Sequence, residues 1–95
     1  MDPYLTPADH MRAEANARES WSDRCDGHAE SYEGRGRFDK AQDEYRRSAI
    51  HLRDAARILR DAATVEGGTP ADLDRADLLT RAAAYREGWA AALTG

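Results

Sequence analysis

Residues 38–63, FDKAQDEYRRSAIHLRDAARILRDAA, decide the fold. Phe38, Ala41, Tyr45, Ala49, Leu52, Ala56, Leu59 and Ala63 recur at alternating steps of three and four, the repeat that gathers side chains on one face of an α-helix. Sustained for about seven turns of 3.6 residues, the stripe predicts one long amphipathic helix. Strands have little to build on. Ile50, Ile58 and Val65 are the only β-branched aliphatic residues, and no alternating apolar and polar run is bounded by turn residues.

Outward from this helix, the glycine clusters Gly34-Arg35-Gly36 and Gly67-Gly68 mark where one helix stops and the next begins. The flanking segments open on identical words, Thr6-Pro7-Ala8-Asp9 and Thr69-Pro70-Ala71-Asp72. Each puts a hydroxyl at the N-cap, proline at the first helical position and, three residues after the cap, a carboxylate able to reach back to free amides. The first segment carries a stripe of Met11, Ala15, Trp21, Cys25, Ala29 and Tyr32, interrupted by Arg18; the third carries Leu78, Leu79, Ala82, Tyr85, Trp89 and Leu93, beside Ala83 and Ala90. The expectation is all-α: an antiparallel three-helix bundle with helices near 7–33, 37–66 and 70–93. It forms a single domain over 7–93 behind a tail of residues 1–6, because short connections between long helices force antiparallel neighbours.

Composition bounds what such a bundle can do. The 95 residues make one domain at most. Leu, Ile, Val and Phe supply 11 residues against 19 alanines, so the core must be thin and made by close backbone approach, with little room for an enclosed active site. A charged fraction of 34% and a net charge of -4 argue against a generic polyanion binder. Cys25 has no cysteine to pair with, MDPYLTPADH shows neither a basic leader nor an apolar run, and no window approaches the roughly 18 apolar residues of a membrane span. A reduced, cytoplasmic protein without a membrane partner is expected. Thirteen arginines to one lysine, with the Ala and Asp load, read as translation from a GC-rich genome, that of a bacterium such as an actinobacterium or its phage.

Around the first turn, Ala29-Glu-Ser-Tyr32-Glu-Gly34-Arg-Gly36-Arg-Phe38-Asp-Lys-Ala41-Gln-Asp-Glu-Tyr45-Arg-Arg-Ser48 resembles the tetratricopeptide-repeat pattern. There a small residue and a tyrosine precede a glycine turn, and an aromatic, a small residue, an aromatic and a small residue follow. The resemblance implies that Ala29 and Ala41 let two antiparallel helices touch while Tyr32, Phe38 and Tyr45 fill the wedge between them. The chain departs from the repeat family where its large apolar residues would fall on Cys25 and His28, and where its closing proline would fall on Arg53. A long second helix followed by one more helix is similar instead to the microtubule-interacting-and-transport domain, a three-helix family that binds short helical peptides in grooves between its helices. That resemblance implies a shape and a docking mode, not a partner.

Residues with reactive or ligating groups are scattered. Cys25 and His28 stand at i and i+3, a spacing able to grip a zinc ion from two sides, but a structural zinc needs four ligands and the other histidines are His10 and His51. The expected roles are a small hydrophobe for Cys25 and a polar edge residue for His28. Glu14, Glu19, Asp23, Asp26, Glu30 and Glu33 make the first helix acidic, and Asp72, Asp74 and Asp77 crowd the dipole-favoured start of the third. No Glu-x-x-His pair, glycine-rich phosphate loop or Ser, His and Asp set occurs in recognisable context. The expectation is no catalytic residue, no cofactor, no metal site and no enzymatic activity.

Charge is more informative. Residues 1–33 carry eight acids and three bases, residues 34–66 eight bases and six acids. Arg46, Arg53, Arg57 and Arg60 fall within roughly 60° on a helical wheel, a ridge three to four turns long that Asp43, Asp54 and Asp61 can neutralise in part. Beside it, Ile50, Ile58 and Val65 point away from the main stripe by roughly 120–180°. Either the third helix covers them or they meet another chain. The candidate partner-binding residues are therefore Arg46, Ile50, Arg53, Arg57, Ile58 and Val65. The expected function is a non-enzymatic adaptor module that docks a partner helix or self-associates through this surface. The alternative is a nucleic-acid-associated regulator using the Arg46 to Arg60 ridge.

Overall fold

The computed structural model describes residues 5–93. They form three α-helices, α1 (Pro7–Gly34), α2 (Phe38–Ala62) and α3 (Pro70–Ala92), with no strand among the described residues. The fold is an all-α three-helix bundle in which α1 and α3 each pack against α2. Both helix-opening words act as read. The Thr6 hydroxyl accepts the Asp9 amide at 3.2 Å while Asp9 Oδ2 accepts the Thr6 amide at 2.9 Å, and Asp72 Oδ2 accepts the Thr69 amide at 2.9 Å.

The second helix ends four residues before the expected 66. Thr64 and Val65 donate their amides to Asp61 and Ala62, three residues back, and the Thr64 hydroxyl donates to the Asp61 carbonyl at 2.7 Å. Local bonds of this kind tighten and then terminate a helix. Gly67 follows at φ 86, a left-handed conformation, and a side chain there would collide with Thr6. The α2–α3 turn is thus folded onto the start of α1, where the Ala8 amide donates to Glu66 O at 3.2 Å.

Alanine sets the spacing. Ala15, Ala29, Ala41, Ala55, Ala56, Ala62, Ala76 and Ala83 are fully buried, with Leu52, Leu59, Leu79 and Tyr45 as the bulky core residues. Such close packing revises the stripes read for the outer helices. Trp21 is 51% exposed, and its neighbour Ser22 takes the core position, hydrogen-bonded to the Ser48 hydroxyl at 2.7 Å. On α3 the inward face is Ala76, Leu79, Ala83 and Ala90, while Leu78, Tyr85 and Trp89 stay outside. Phe38 is also exposed and does not fill the wedge, although Ala29, Ala41 and Tyr45 do lie inside. The physical reason is common to all: where alanines bring backbones together, an indole or phenol does not fit and turns outward.

Helices α1 and α3 run parallel, and among the described residues none of their Cα atoms come within 8 Å of each other. Long side chains close the gap. Arg12 grips Asp72 through two bonds of 2.7 Å, Arg75 reaches Glu19, and Arg86 reaches Asp26 at 3.0 Å. Arg12, Glu19 and Asp26 recur every seven residues on α1, close to two full turns, so all three face α3.

Candidate functional site

Between α2 and α3 on the outer side runs a groove of about 430 Å³, lined by Arg46, Ala49, Ile50 and Arg53 from α2 and by Glu87 and Ala91 from α3. Ile50 lies off the core stripe of α2, which reaches the groove only at Ala49, so it projects into solvent at 58% exposure and α3 does not cover it. Ala49, Ile50 and Ala91 supply an apolar floor between the guanidinium groups of Arg46 and Arg53. Arg53 is held across the groove by Glu87, its Nε donating at 2.9 Å. Arg46 lies 3.7 Å from Asp43.

The structure divides the six candidate residues. Arg46, Ile50 and Arg53 come together in this groove. Arg57, two helical turns beyond Ile50 on the outer face, donates to Asp54 at 3.4 Å and is not part of the lining. Ile58 is removed from the exposed surface: it is half-buried and packs against the cluster that contains Leu52, Leu59 and Leu79. Val65 is in the turn after α2, partly exposed, and so does not extend the helical line. Along the arginine ridge every guanidinium has a carboxylate within 4 Å, Arg46 with Asp43, Arg53 with Glu87, Arg57 with Asp54 and Arg60 with Asp77.

Cys25 and His28 differ in their surroundings. Cys25 is buried, and burial, followed by the nearby Glu44 carboxylate, pushes its thiol pKa up. His28 is exposed, with Nδ1 3.6 Å from Glu44. Among the described residues no three His, Cys, Asp or Glu side chains gather as a metal cluster. No helix among them is long and apolar enough to cross a membrane.

A second exposed region was not legible as a surface, because its residues follow helical core spacing. Leu78, Tyr85 and Trp89 line the outside of α3. Trp89 borders a hollow of about 350 Å³ with Glu30, Glu33, Tyr45, Ala92 and Leu93. Its ring meets Tyr45 edge-on, centroids 5.5 Å apart, and the Arg86 guanidinium stands 4.8 Å from it. Compared with models of known families, with curated proteins and with solved structures, the chain matches none.

Proposed function

We propose that the chain is a non-enzymatic protein-interaction module of the bacterial or phage cytoplasm that receives an amphipathic helix of a partner protein in the α2–α3 groove. The observation that carries this reading is the placement of Ile50: a β-branched side chain, uncovered by its own bundle, between two alanines and two arginines. A partner helix would lay an apolar residue on Ile50 and set acidic residues against Arg46 and Arg53, the helix-in-groove mode of recognition. The resemblance read from the sequence, to a family that docks short helical peptides, accords with it. The nucleic-acid alternative ranks below, since the ridge guanidiniums are already paired with carboxylates.

Affinity isolation from source cells with wild type and an Ile50→Asp variant tests the reading, far-UV circular dichroism confirming that both are helical. A partner retained by wild type and lost by the variant is expected. Equal capture by both would remove the groove as the docking surface, and salt-sensitive DNA or RNA retardation lost on replacing Arg53 and Arg57 would favour the alternative.

A further inference from the structure

We propose that the hollow between the C-terminal ends of α1 and α3 is a second binding site, one that accepts the cationic side chain of a lysine or arginine from a basic, amphipathic peptide. Its walls are Glu30 and Glu33 from α1, Tyr45 from α2 and Trp89, Ala92 and Leu93 from α3. Two carboxylates beside two aromatic rings suit a cation, attracted by the charges and by the negative faces of the rings.

The placement of the glutamates suits such a ligand. Parallel α1 and α3 bring two helix C-termini, the negative ends of their dipoles, to the end of the bundle where α2 contributes one positive N-terminus. Neither helix has a basic residue within its last turn, the C-cap Arg35 of α1 donating to the Ser31 carbonyl at 3.4 Å, and Glu30 and Glu33 stand in the final two turns of α1. Among the described residues neither takes part in an ion pair, whereas Glu19 and Asp26, further back on the same helix, are each held by an arginine of α3. The negative field reaches the floor of the hollow: burial first, then the charge of Glu33 and its hydrogen bonding to the phenol, and then the charge of Glu30, push the Tyr45 hydroxyl pKa up. Trp89 already has one cation beside it, Arg86, tethered to Asp26 at 3.0 Å.

A peptide rather than a free cation is indicated by what adjoins the hollow. Trp89 is shared with a neighbouring depression of about 380 Å³ lined by Arg81, Ala84, Tyr85 and Gly88. Tyr85 and Leu78 are exposed further along the same helix. One ring therefore separates an acidic hollow from an apolar track, and a chain carrying both a basic and an apolar side chain would engage the two together.

The probe is a short, terminally capped peptide of leucine and lysine, titrated against the intact chain. Trp21→Phe leaves Trp89 as the sole indole for fluorescence, and calorimetry on the unaltered chain gives the same constant without that substitution. Saturable binding is expected, weakened roughly tenfold or more in Glu30→Gln/Glu33→Gln, the charge-assisted contacts being lost. Glu14→Gln/Asp74→Asn, which removes equal charge at exposed sites elsewhere, should bind as the wild type does. Unchanged affinity in the hollow variant, or equal binding of a peptide with glutamate in place of lysine, would overturn the site. Binding of n-butylammonium as tight as that of the peptide would overturn the peptide as its occupant.

Discussion

Asp72 shows how single residues tie this bundle together. It closes the N-terminal turn of α3 through Thr69, accepts both bonds of the Arg12 fork and is almost completely buried. Arg12 donates onward to Asp9 and to Gly67 O, so one guanidinium fastens both capping words and the α2–α3 turn. The Arg12 hydrogen bonds, opposed by desolvation and aided by the Thr69 amide, lower the Asp72 pKa to about 2. Against an unfolded value near 3.9, a folded-state pKa depressed this way adds stability that is fully present above about pH 4 and is lost as pH falls through about 2. Asp9, lowered chiefly by its bond to the Thr6 amide, adds in the same direction. Asp72→Asn should cost about 1–3 kcal/mol at pH 7, with the gap closing towards pH 2; urea unfolding at both pH values measures it. Gly67→Ala should destabilise by more than about 1 kcal/mol, since it combines a left-handed backbone with a collision against Thr6. The capping words were legible because their bonds are local. Their meeting through Arg12 was not, because the partners lie sixty residues apart.

Among the elements, α2 was read most securely and is the spine on which the others lie. All but the ends of its stripe, Phe38 and Ala63, are buried at least to the level of the core, and one broad inward face serves both neighbours. The outer helices bring their backbones close only to α2, and each has apolar residues on two sides. A pattern of that kind does not say which side faces inward; backbone separation does, and here alanines make it too small for Trp21, Tyr85 or Trp89. Leu59→Ala, at a position with no exposed surface, should cost about 2–5 kcal/mol. Ser22 and Ser48 form a closed buried pair, so either serine changed to alanine strands the other hydroxyl. Each single change should cost about 1 kcal/mol and the double change clearly less than their sum, as a double-mutant cycle in urea would show. Gly27 sits inside α1 with open space around it. Gly27→Ala should therefore stabilise by about 0.5–1 kcal/mol, a melting temperature higher by several degrees.

Over the whole molecule, bulky apolar residues are distributed the wrong way round for a self-sufficient bundle. Four of them, Tyr45, Leu52, Leu59 and Leu79, are buried, while nine large hydrophobics among the described residues are exposed. Isolated exposed leucines need no explanation, but Ile50 in a lined groove and Leu78, Tyr85 and Trp89 along one helix are surfaces, and surfaces of this composition mark association. The gap between α1 and α3 is closed by ion pairs instead of apolar packing, and those pairs are partly exposed. The bundle should consequently melt a few degrees lower in ~1 M than in ~0.05 M sodium chloride, as screening shortens the Debye length from above 10 Å to about 3 Å. The exposed groove residue Ile50 and the small-residue core follow from composition and helical phase. The acidic hollow does not, because it is assembled from three helices at one end of the bundle. The central claim is that the α2–α3 groove is occupied by another protein's helix, and the most direct measurement is a photo-activated crosslinker placed at position 50 in the source cell. A single adduct is predicted, joined through an amphipathic, acid-flanked segment of a distinct protein and absent when the crosslinker stands at position 13, exposed on α1 and away from the groove. No adduct at position 50, or the same adducts at both positions, would contradict the account.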